Sequence, residues 1–470
     1  MDINEWITAV NDAIWGYVLI AALVGCGVWF TVKTRFVQFR MLFEMIRLLT
    51  ETAADTMTGD RKTKHISPFQ AFAVSVATRV GTGNLAGVAA AIAIGGPGSV
   101  FWMWVIALIG AATAFVESTL AQLFKQPHSD SFIGGPAYYI QKGLHKRWMA
   151  VMFAVFITLQ FGLSNISVQS STICSAMHEA FGWSPVWVGV VLTVTALFIV
   201  FGGIQRIAKV SAVLVPIMAV GYVVLALVVM VMNIQLIPHV MKIIVLDAFG
   251  VDQVAGGGIG ATIMYGVKRG LFSNEAGEGS APNVAATAQT SHPVKQGLIQ
   301  ALGVFTDTLL VCSCTAFIIL ISGLYTTPGL NGIELTQNAL QAEVGSLGPV
   351  FVALAILLFA FSSIIGNYYY GEANIRFITK KPAVMTVYRI LSAGGMVMFG
   401  ALATFELVWN LVDFFMALLT ACNLVAIVLL GRYAFRLLDD YREQKRRGIR
   451  DPSFHRSLFP EIEQDIDCWE

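Results

Sequence analysis

A short run of glycine and polar residues interrupts an apolar stretch near residue 80. It reads Ala77-Thr78-Arg79-Val80-Gly81-Thr82-Gly83-Asn84-Leu85. Glycine weakens a helix, and an arginine near the bilayer centre costs about 2.5–3.5 kcal/mol on membrane-insertion scales. Irregular backbone at membrane depth is tolerated only where it is buried in protein or lines a watery cavity. The run therefore predicts a helix that is broken inside a membrane, with a binding site at the break.

A broken helix offers two kinds of backbone ligand. The N–H groups that open its second half carry partial positive charge and suit a carboxylate, whereas the carbonyls that close its first half suit a cation. Here the donor end is expected at Thr82, Gly83 and Asn84. The carbonyls of Ala77 and Val80 are expected to face a cation. Such a pair of sites can hold an amino acid beside a sodium ion.

Close packing of a neighbouring helix is the alternative explanation for the glycines. Gly81, Gly83 and Gly87 could serve as the small residues that let two membrane helices approach each other. Arg79 and Asn84 lie beside these glycines and would be costly on a lipid-facing surface. The two polar residues favour the broken helix.

A second interrupted segment lies far along the chain. It reads Lys268-Arg269-Gly270-Leu271-Phe272-Ser273-Asn274-Glu275-Ala276-Gly277-Glu278-Gly279-Ser280. A simple membrane helix would not hold so many charges and glycines at depth. The segment predicts a second broken span, with its break between Gly270 and Gly279.

The composition is that of an all-α polytopic membrane protein. Hydrophobic residues make up 56% of the 470 residues and charged residues only 13%, about half the charged share of a soluble domain. Apolar runs of spanning length recur throughout and predict about 11 transmembrane helices. The net charge of +1 gives no indication of nucleic-acid binding. The six cysteines lack the spacing of a zinc site, so we expect no metal site of that kind, no disulfide and no cofactor.

The spans divide into two halves once the first is set aside. Each half has five spans and begins with an interrupted one, which indicates an inverted 5+5 repeat of the kind found in secondary transporters. The expected units are residues 1–66 (an extra span and a cytoplasmic amphipathic segment), 67–235 and 236–431 (the two repeats) and 432–470 (a tail). Lys/Arg-rich loops after odd-numbered spans place the N-terminus outside and the C-terminus in the cytoplasm of a cell membrane. The charged tail from Arg432 onward is expected to be a solvated helix.

Further polar residues lie in other expected spans. Ser362 and Ser363 offer hydroxyl oxygens to a cation, although adjacent serines in a membrane helix often bond only to their own turn. Four acids are expected to face three basic residues across the core: Glu117, Glu275, Glu278 and Asp307 against Arg79, Lys268 and Arg269. Arg79 is expected to pair with one of these acids.

Several motifs resemble the alanine or glycine:cation symporter family. They are the segments 80–88, 95–110, 134–139 and 272–277, beginning Val80-Gly81-Thr82-Gly83-Asn84, Gly95-Gly96-Pro97-Gly98, Gly134-Gly135-Pro136 and Phe272-Ser273-Asn274-Glu275. Ser99 departs slightly from the small residue usual in the second of these segments. The resemblance spreads from about Thr34 to Glu372. It implies a fold of the leucine-transporter type with an extra N-terminal helix, and import of a small neutral amino acid with sodium by alternating access.

The resemblance also implies site residues. The substrate would contact Thr82, Gly83, Asn84, Gln169, Phe272, Ser273, Asn274 and position 367. Sodium would bind at Ala77, Val80, Ser362 and Ser363. Many similar sequences have tryptophan where this chain has Asn367, and many have asparagine near Ser171. A carboxamide in place of an indole widens the pocket and adds a donor and an acceptor, so we expect alanine or glycine and, in addition, a larger polar substrate such as glutamine.

Three other functions are compatible with parts of this pattern. A proton could replace sodium, with Glu117 or Asp307 as its carrier. A channel would need a continuous polar pore, which paired breaks near the midplane do not suggest. A membrane-embedded enzyme would need a nucleophile–base pair or a metal constellation, and the sequence shows neither.

Overall fold

A computed structural model gives the architecture of the chain. It describes residues 3–57, 66–128, 131–251 and 258–469. These residues form helices almost throughout, with one two-stranded hairpin, β1 paired antiparallel with β2. Part of the expected amphipathic segment, residues 58–65, lies outside the described residues.

The first half of the chain begins with a long helix and continues through the first interrupted span. The elements are α1 (Trp6–Lys33), α2 (Val37–Arg40), α3 (Leu42–Met57), α4 (Pro68–Arg79), α5 (Gly83–Gly95), α6 (Ser99–Leu123), β1 (Gln126–His128), β2 (Ser131–Ile133), α7 (Pro136–Gly143), α8 (Arg147–Phe181), α9 (Pro185–Val200) and α10 (Gly203–Met232).

The second half follows a short 3₁₀ turn at Ile234–Leu236. Its helices are α11 (Ile237–Ala248), α12 (Gly258–Asn274), α13 (Ala281–Ala285), α14 (Pro293–Ser322), α15 (Gly332–Val344), α16 (Leu347–Ile378), α17 (Pro382–Leu402) and α18 (Phe405–Arg446). Three further 3₁₀ turns lie at Leu324–Thr326, Arg456–Leu458 and Pro460–Asp465.

Seven helices in the described part of the chain are long and apolar enough to cross a membrane. They are α1, α6, α8, α14, α16, α17 and α18. The pair Ala219–Met232 and Ile234–Ala248 passes the same test together but is bent by 79°, which makes eight if the pair is one span. The two interrupted spans are divided into shorter pieces, and α9 has 16 residues. Length and composition alone therefore give fewer spans than the eleven expected.

Helix α6 lies at the centre of the structure because small residues let its neighbours approach it closely. It packs against α1, α12 and α14. A Cβ atom on Gly270 would lie 2.7 Å from Ile106 Cγ2, and one on Gly297 would lie 2.9 Å from the Phe115 carbonyl oxygen. Such close approach replaces the hydrophobic driving force that helices lack among lipid tails. Each of these glycines fixes how near its helix lies to α6.

The glycine-rich turn predicted near residue 96 joins α5 to α6. Gly96 has φ +84°, a conformation that residues with side chains rarely adopt. The Gly98 N–H donates to Asp247 Oδ2 at 2.7 Å, and the indole N–H of Trp102 donates to the Ala248 carbonyl at 3.1 Å. The C-terminal end of α11 thus covers the turn.

A buried ion-pair cluster joins α12 to α18. Lys268 Nζ lies 2.7 Å from Asp413 Oδ2, and the Arg269 guanidinium donates to both carboxylate oxygens at 3.0 Å each. The guanidinium also lies over the Trp409 ring, 4.2 Å from its centroid. The expectation that these two basic residues face Glu117, Glu275, Glu278 and Asp307 is wrong, because both bond to Asp413 of α18 instead.

The C-terminal tail is packed against the core, so its expected character as a solvated helix is wrong. One face of the helix beyond residue 431 is buried, including Tyr433 and Tyr441. After α18 ends, the Phe454 N–H donates to the Ser291 carbonyl at 2.9 Å, and the Trp469 indole donates to the Gln122 carbonyl at 3.0 Å. Aromatic residues spaced along a charged segment supply the buried area that its composition conceals.

We predict that Asp413→Asn strongly destabilises the protein. The substitution would leave Lys268 and Arg269 buried without their shared carboxylate, and breaking a buried pair in this way costs about 3–5 kcal/mol. Unfolding of the purified protein in detergent measures the loss. Glu443→Gln is the matched control, because its partner Arg447 is 69% exposed and such pairs contribute below about 1 kcal/mol. Equal effects of the two substitutions would contradict the role given to Asp413.

Candidate functional site

The first interrupted span breaks between α4 and α5, where the sequence predicts it. Helix α4 ends at Arg79, Val80 has φ −77° and ψ 94°, and helical structure resumes around Thr82. The Gly81 N–H donates to Asn84 Oδ1 at 2.9 Å. The Thr82 N–H donates to Gln169 Oε1 on α8, also at 2.9 Å. Two of the N–H groups freed by the break are therefore bonded to side chains that were predicted to line the site.

Two adjacent serines of α16 lie against the carbonyls that close α4. Ser363 Oγ lies 2.8 Å from the Ala77 carbonyl oxygen and 3.4 Å from that of Val80. Ser362 Oγ lies 3.4 Å from the Ala77 carbonyl oxygen. Both hydroxyls also donate to the Phe359 carbonyl of their own helix. The four residues predicted to hold sodium thus meet at one place, although the serines also make the local bonds that were the alternative.

The second interrupted span breaks between α12 and α13, later than expected. Helix α12 continues to Asn274, so only residues from 275 to 280 are irregular. Glu275, Gly277 and Gly279 have φ of +57°, +95° and +82°. The irregular residues lie almost wholly within the predicted interval from Gly270 to Gly279, but Gly270 itself is a helical residue that packs against α6. Left-handed backbone at three alternate positions turns the chain from α12 to α13.

A buried carboxylate holds the second break in place. Glu117 Oε1 on α6 accepts the Gly277 N–H at 3.3 Å, and Glu117 Oε2 accepts from Asn423 Nδ2 at 2.9 Å. Asn423 on α18 donates to the Gly277 carbonyl at 2.9 Å as well, and it accepts from the Tyr139 hydroxyl. Glu117 and Asn423 therefore satisfy the polar groups of the irregular backbone.

A second buried carboxylate joins the two interrupted spans. Asp307 Oδ1 on α14 accepts from Asn84 Nδ2 at 2.7 Å, and Oδ2 accepts from Ser273 Oγ at 2.7 Å. A Cβ atom on Gly83 would lie 3.1 Å from both Phe272 Cδ1 and Ser273 Cα. The start of α5 therefore lies directly against the last turn of α12. A side chain at position 83 would be in tight contact with α12, so glycine favours this close approach.

Several polar atoms of the predicted substrate residues are buried without a hydrogen-bond partner among the described residues. They are Thr82 Oγ1, Asn274 Nδ2, and both Nδ2 and Oδ1 of Asn367. Asn367 lies one turn along α16 from Ser363, on the same face. A buried polar group without a hydrogen bond costs about 1–3 kcal/mol. Their hydrogen-bonding capacity is therefore not used by the described residues.

The expected pairing of Arg79 with an acid is wrong. The Arg79 guanidinium is buried, and its Nη1 donates to the Gln300 carbonyl of α14 at 3.2 Å. Its Nε and Nη2 have no partner among the described residues. The nearby carboxylates of Glu275 and Asp307 instead accept from neutral donors, Ser280 and Ser273. Arg79 therefore enters the core as a charge without a direct counterion.

Asp413 and Asn423 bond to buried charged residues near the breaks, and the sequence analysis did not predict either role. Both lie in the last apolar span, which was assigned no chemistry. A signal was present, because polar residues in an otherwise apolar span are expensive unless they are paired. Their partners lie 144 and 306 residues away along the chain, so the sequence alone could not show which residues they bond to.

Comparison with known proteins identifies the family. The family described as the sodium:alanine symporter family matches residues 1–456. The probable sodium/glutamine symporter GlnT of Bacillus subtilis is 52% identical over 98% of this chain and 94% of its own length. The amino-acid carrier protein AlsT of the same organism is 48% identical over 99% of this chain and 98% of its own.

Among solved structures, a manganese transporter of Eremococcus coleocola has a TM-score of 0.49 at 14% sequence identity. The match covers 84% of this chain and 83% of that chain. The family match confirms the resemblance found in the sequence motifs, and the apolar helices agree with a multi-pass membrane protein. On a match of this extent, the chain belongs to the sodium:alanine symporter family.

Proposed function

We propose that this chain imports a small neutral amino acid together with sodium by alternating access. The observation that carries the proposal is the meeting of carbonyl and hydroxyl oxygens at the end of α4, beside the N–H groups that open α5. A cation site and a carboxylate site then lie on the two sides of one break. The family, and the 52% identical relative named as a sodium/glutamine symporter, support this assignment.

Sodium would bind to the oxygen atoms at the end of α4. The carbonyls of Ala77 and Val80 and the hydroxyls of Ser362 and Ser363 are hard oxygen ligands, which a hard cation prefers. No cofactor is needed, because the ion gradient supplies the free energy. A potential of 100 mV supplies about 2.3 kcal/mol per sodium ion, and a tenfold concentration ratio adds about 1.4 kcal/mol. Since each 1.4 kcal/mol corresponds to a tenfold ratio, the two together support an inside-to-outside amino-acid ratio of roughly several hundred.

The amino acid would lie between the two breaks. Its carboxylate would lie at the start of α5, beside Thr82, Gly83 and Asn84, where Gln169 accepts from the Thr82 N–H and Asn84 accepts from the Gly81 N–H. Phe272, whose ring lies 4.9 Å from that of Trp409, would form an apolar wall. The partnerless amide of Asn367 would accept and donate hydrogen bonds to a carboxamide side chain, so glutamine is proposed beside alanine and glycine.

The proposed topology has eleven spans with the leucine-transporter type of inverted repeat. The seven long helices, the bent pair at α10–α11, the shorter α9 and the two interrupted spans together supply that number. The proposed units are residues 1–66, 67–235, 236–431 and 432–470. The distribution of Lys and Arg supports an external N-terminus and a cytoplasmic C-terminus in the cell membrane.

Proton coupling is the second candidate. Asp307 favours this candidate. Its buried carboxylate bonds to both interrupted spans, and among the described residues it forms no ion pair. A proton there would change bonds to Asn84 and Ser273 together. Glu117 and Glu275 are assigned to the second break, where they accept from Asn423 and Ser280.

Ser363→Ala is predicted to weaken sodium binding. Removing the Ser363 hydroxyl beside the end of α4 would raise the sodium concentration for half-maximal uptake roughly 10- to 100-fold. The magnitude follows if this oxygen–sodium contact contributes as much as a hydrogen bond to a charged group, about 1.5–3 kcal/mol. Sodium-dependent uptake of alanine into proteoliposomes measures it. Ser170→Ala is the control, because Ser170 is a buried serine whose hydroxyl donates to the Val397 carbonyl, away from the break. An unchanged sodium dependence in Ser363→Ala would place the cation elsewhere.

Asn367→Trp is predicted to narrow the range of substrates. The indole would fill the space and remove the amide, so glutamine uptake relative to alanine uptake should fall by about tenfold or more. Competition of unlabelled glutamine with labelled alanine, in the wild type and the variant, measures this ratio. Alanine uptake by the variant is the internal control for folding. An unchanged ratio would remove Asn367 from the specificity site.

A further inference from the structure

A basic cavity of about 850 Å³ opens where α16 ends, away from the two breaks. It lies between the β1–β2 hairpin, α7, the first turn of α8 and the turn that joins α16 to α17. Its polar lining residues are Gln126, His128, Tyr138, Gln141, Arg147, Arg376, Thr379, Lys380, Lys381, Thr386 and Arg389. We refer to this space as the basic cavity. Nothing in the proposed transport cycle uses it.

The charges around the basic cavity are strongly unbalanced. Five side chains in its lining are cationic: Arg147, Arg376, Lys380, Lys381 and Arg389. None of its described lining residues carries a carboxylate. Glu372, which is buried behind the wall, lies 2.6 Å from Arg376 and 3.5 Å from Arg389. One carboxylate therefore serves two guanidiniums, and most of the positive charge in the cavity is left uncompensated.

The cavity also presents free donors. Lys380 and Lys381 form no ion pair with any described residue, and Arg147 donates only to Gln141 Oε1, at 3.0 Å. Lys381 is extended, with φ −70° and ψ 120°, and α17 begins directly after it at Pro382. The unbonded N–H groups of that first turn add a partial positive charge at the rim. Lysine, arginine and a helix N-terminus together are the donor set that binds phosphate.

The behaviour of His128 agrees with a positive potential in the cavity. Burial lowers the pKa of its imidazole, and the positive charges of Arg376 and Lys380 lower it further. Glu372 opposes the shift without cancelling it. Burial is thus the main cause of the lowered pKa, and the cations that would attract an anion add to it.

The apolar surface beside the cavity identifies the source of the anion. Ile378, Val384 and Val387 are 37%, 39% and 64% exposed, next to the cavity at the end of a membrane-length helix. A free phosphate would not contact this apolar surface, whereas the acyl chains of a lipid would cover it. We propose that the basic cavity binds the phosphate headgroup of an anionic phospholipid whose acyl chains lie along α17.

The positive-inside rule alone would place basic residues at this boundary, and it requires no cavity. The two explanations differ in what a local substitution does. A bound lipid depends on the particular cations that line the cavity, whereas a general surface charge depends only on their number. Lys380→Gln/Lys381→Gln removes two exposed cations of the cavity, and Arg446→Gln/Arg447→Gln removes two exposed cations from the end of α18.

The experiment is native mass spectrometry of the purified full chain titrated with phosphatidylglycerol, phosphatidylcholine or inorganic phosphate. At about 1 kcal/mol per basic residue, Lys380→Gln/Lys381→Gln should weaken phosphatidylglycerol binding about 30-fold, whereas Arg446→Gln/Arg447→Gln should change it less than about threefold. Phosphatidylcholine should bind much more weakly than phosphatidylglycerol to the wild type. An unfolding midpoint equal to that of the wild type in lipid-free detergent shows that each variant folds.

Three results would overturn the proposal. Equal losses in the two double variants would show a general charge effect. Equal retention of phosphatidylcholine and phosphatidylglycerol would show that the net negative charge of an anionic phospholipid is not recognised. Displacement of phosphatidylglycerol by inorganic phosphate at a similar concentration would show a site for a free anion. The assay measures binding without transport, so its outcome is independent of the proposed symport.

Discussion

The polar backbone around Val80 is the constraint on which the structure depends. An unbonded N–H or carbonyl in the hydrocarbon region costs several kcal/mol, so a break in a membrane helix must be satisfied by other elements. Here Asn84 bonds the Gly81 N–H, Gln169 of α8 bonds the Thr82 N–H, and Ser363 of α16 reaches the carbonyls. These contacts fix α8 and α16 against the break. The carbonyl and hydroxyl oxygens at this break are the ligands proposed for sodium, and the amino acid is proposed to lie beside Thr82, Gly83 and Asn84.

The second break is satisfied by the same principle with different chemistry. A carboxylate on α6, Glu117, and an amide on α18, Asn423, bond the irregular backbone at Gly277. Asp307 then bonds to Asn84 near one break and to Ser273 near the other. Asp307 therefore joins the two interrupted spans through one side chain.

The sequence was sufficient for local features and insufficient for distant partners. Glycine, arginine and asparagine in one apolar run marked the first break, because their cost at membrane depth is a local property. The sequence did not indicate Asp413 as the partner of Arg269, and it predicted a pairing of Arg79 with an acid that the described residues do not show, because pairing depends on how helices rotate against each other. The start of the second break was misplaced for a similar reason, since close packing against α6 keeps Gly270 helical. The burial of the C-terminal tail was not predicted because its aromatic residues are interspersed with charged ones.

The most direct test of sodium-coupled amino-acid import is uptake of labelled alanine and glutamine into proteoliposomes at fixed pH, with and without an inward sodium gradient. The account predicts that the gradient drives accumulation of a neutral amino acid and that uptake falls to the leak rate without it. Uptake that is independent of sodium but driven by an inward proton gradient would contradict the proposed sodium site, which consists of Ala77, Val80, Ser362 and Ser363. It would assign the coupling to Asp307.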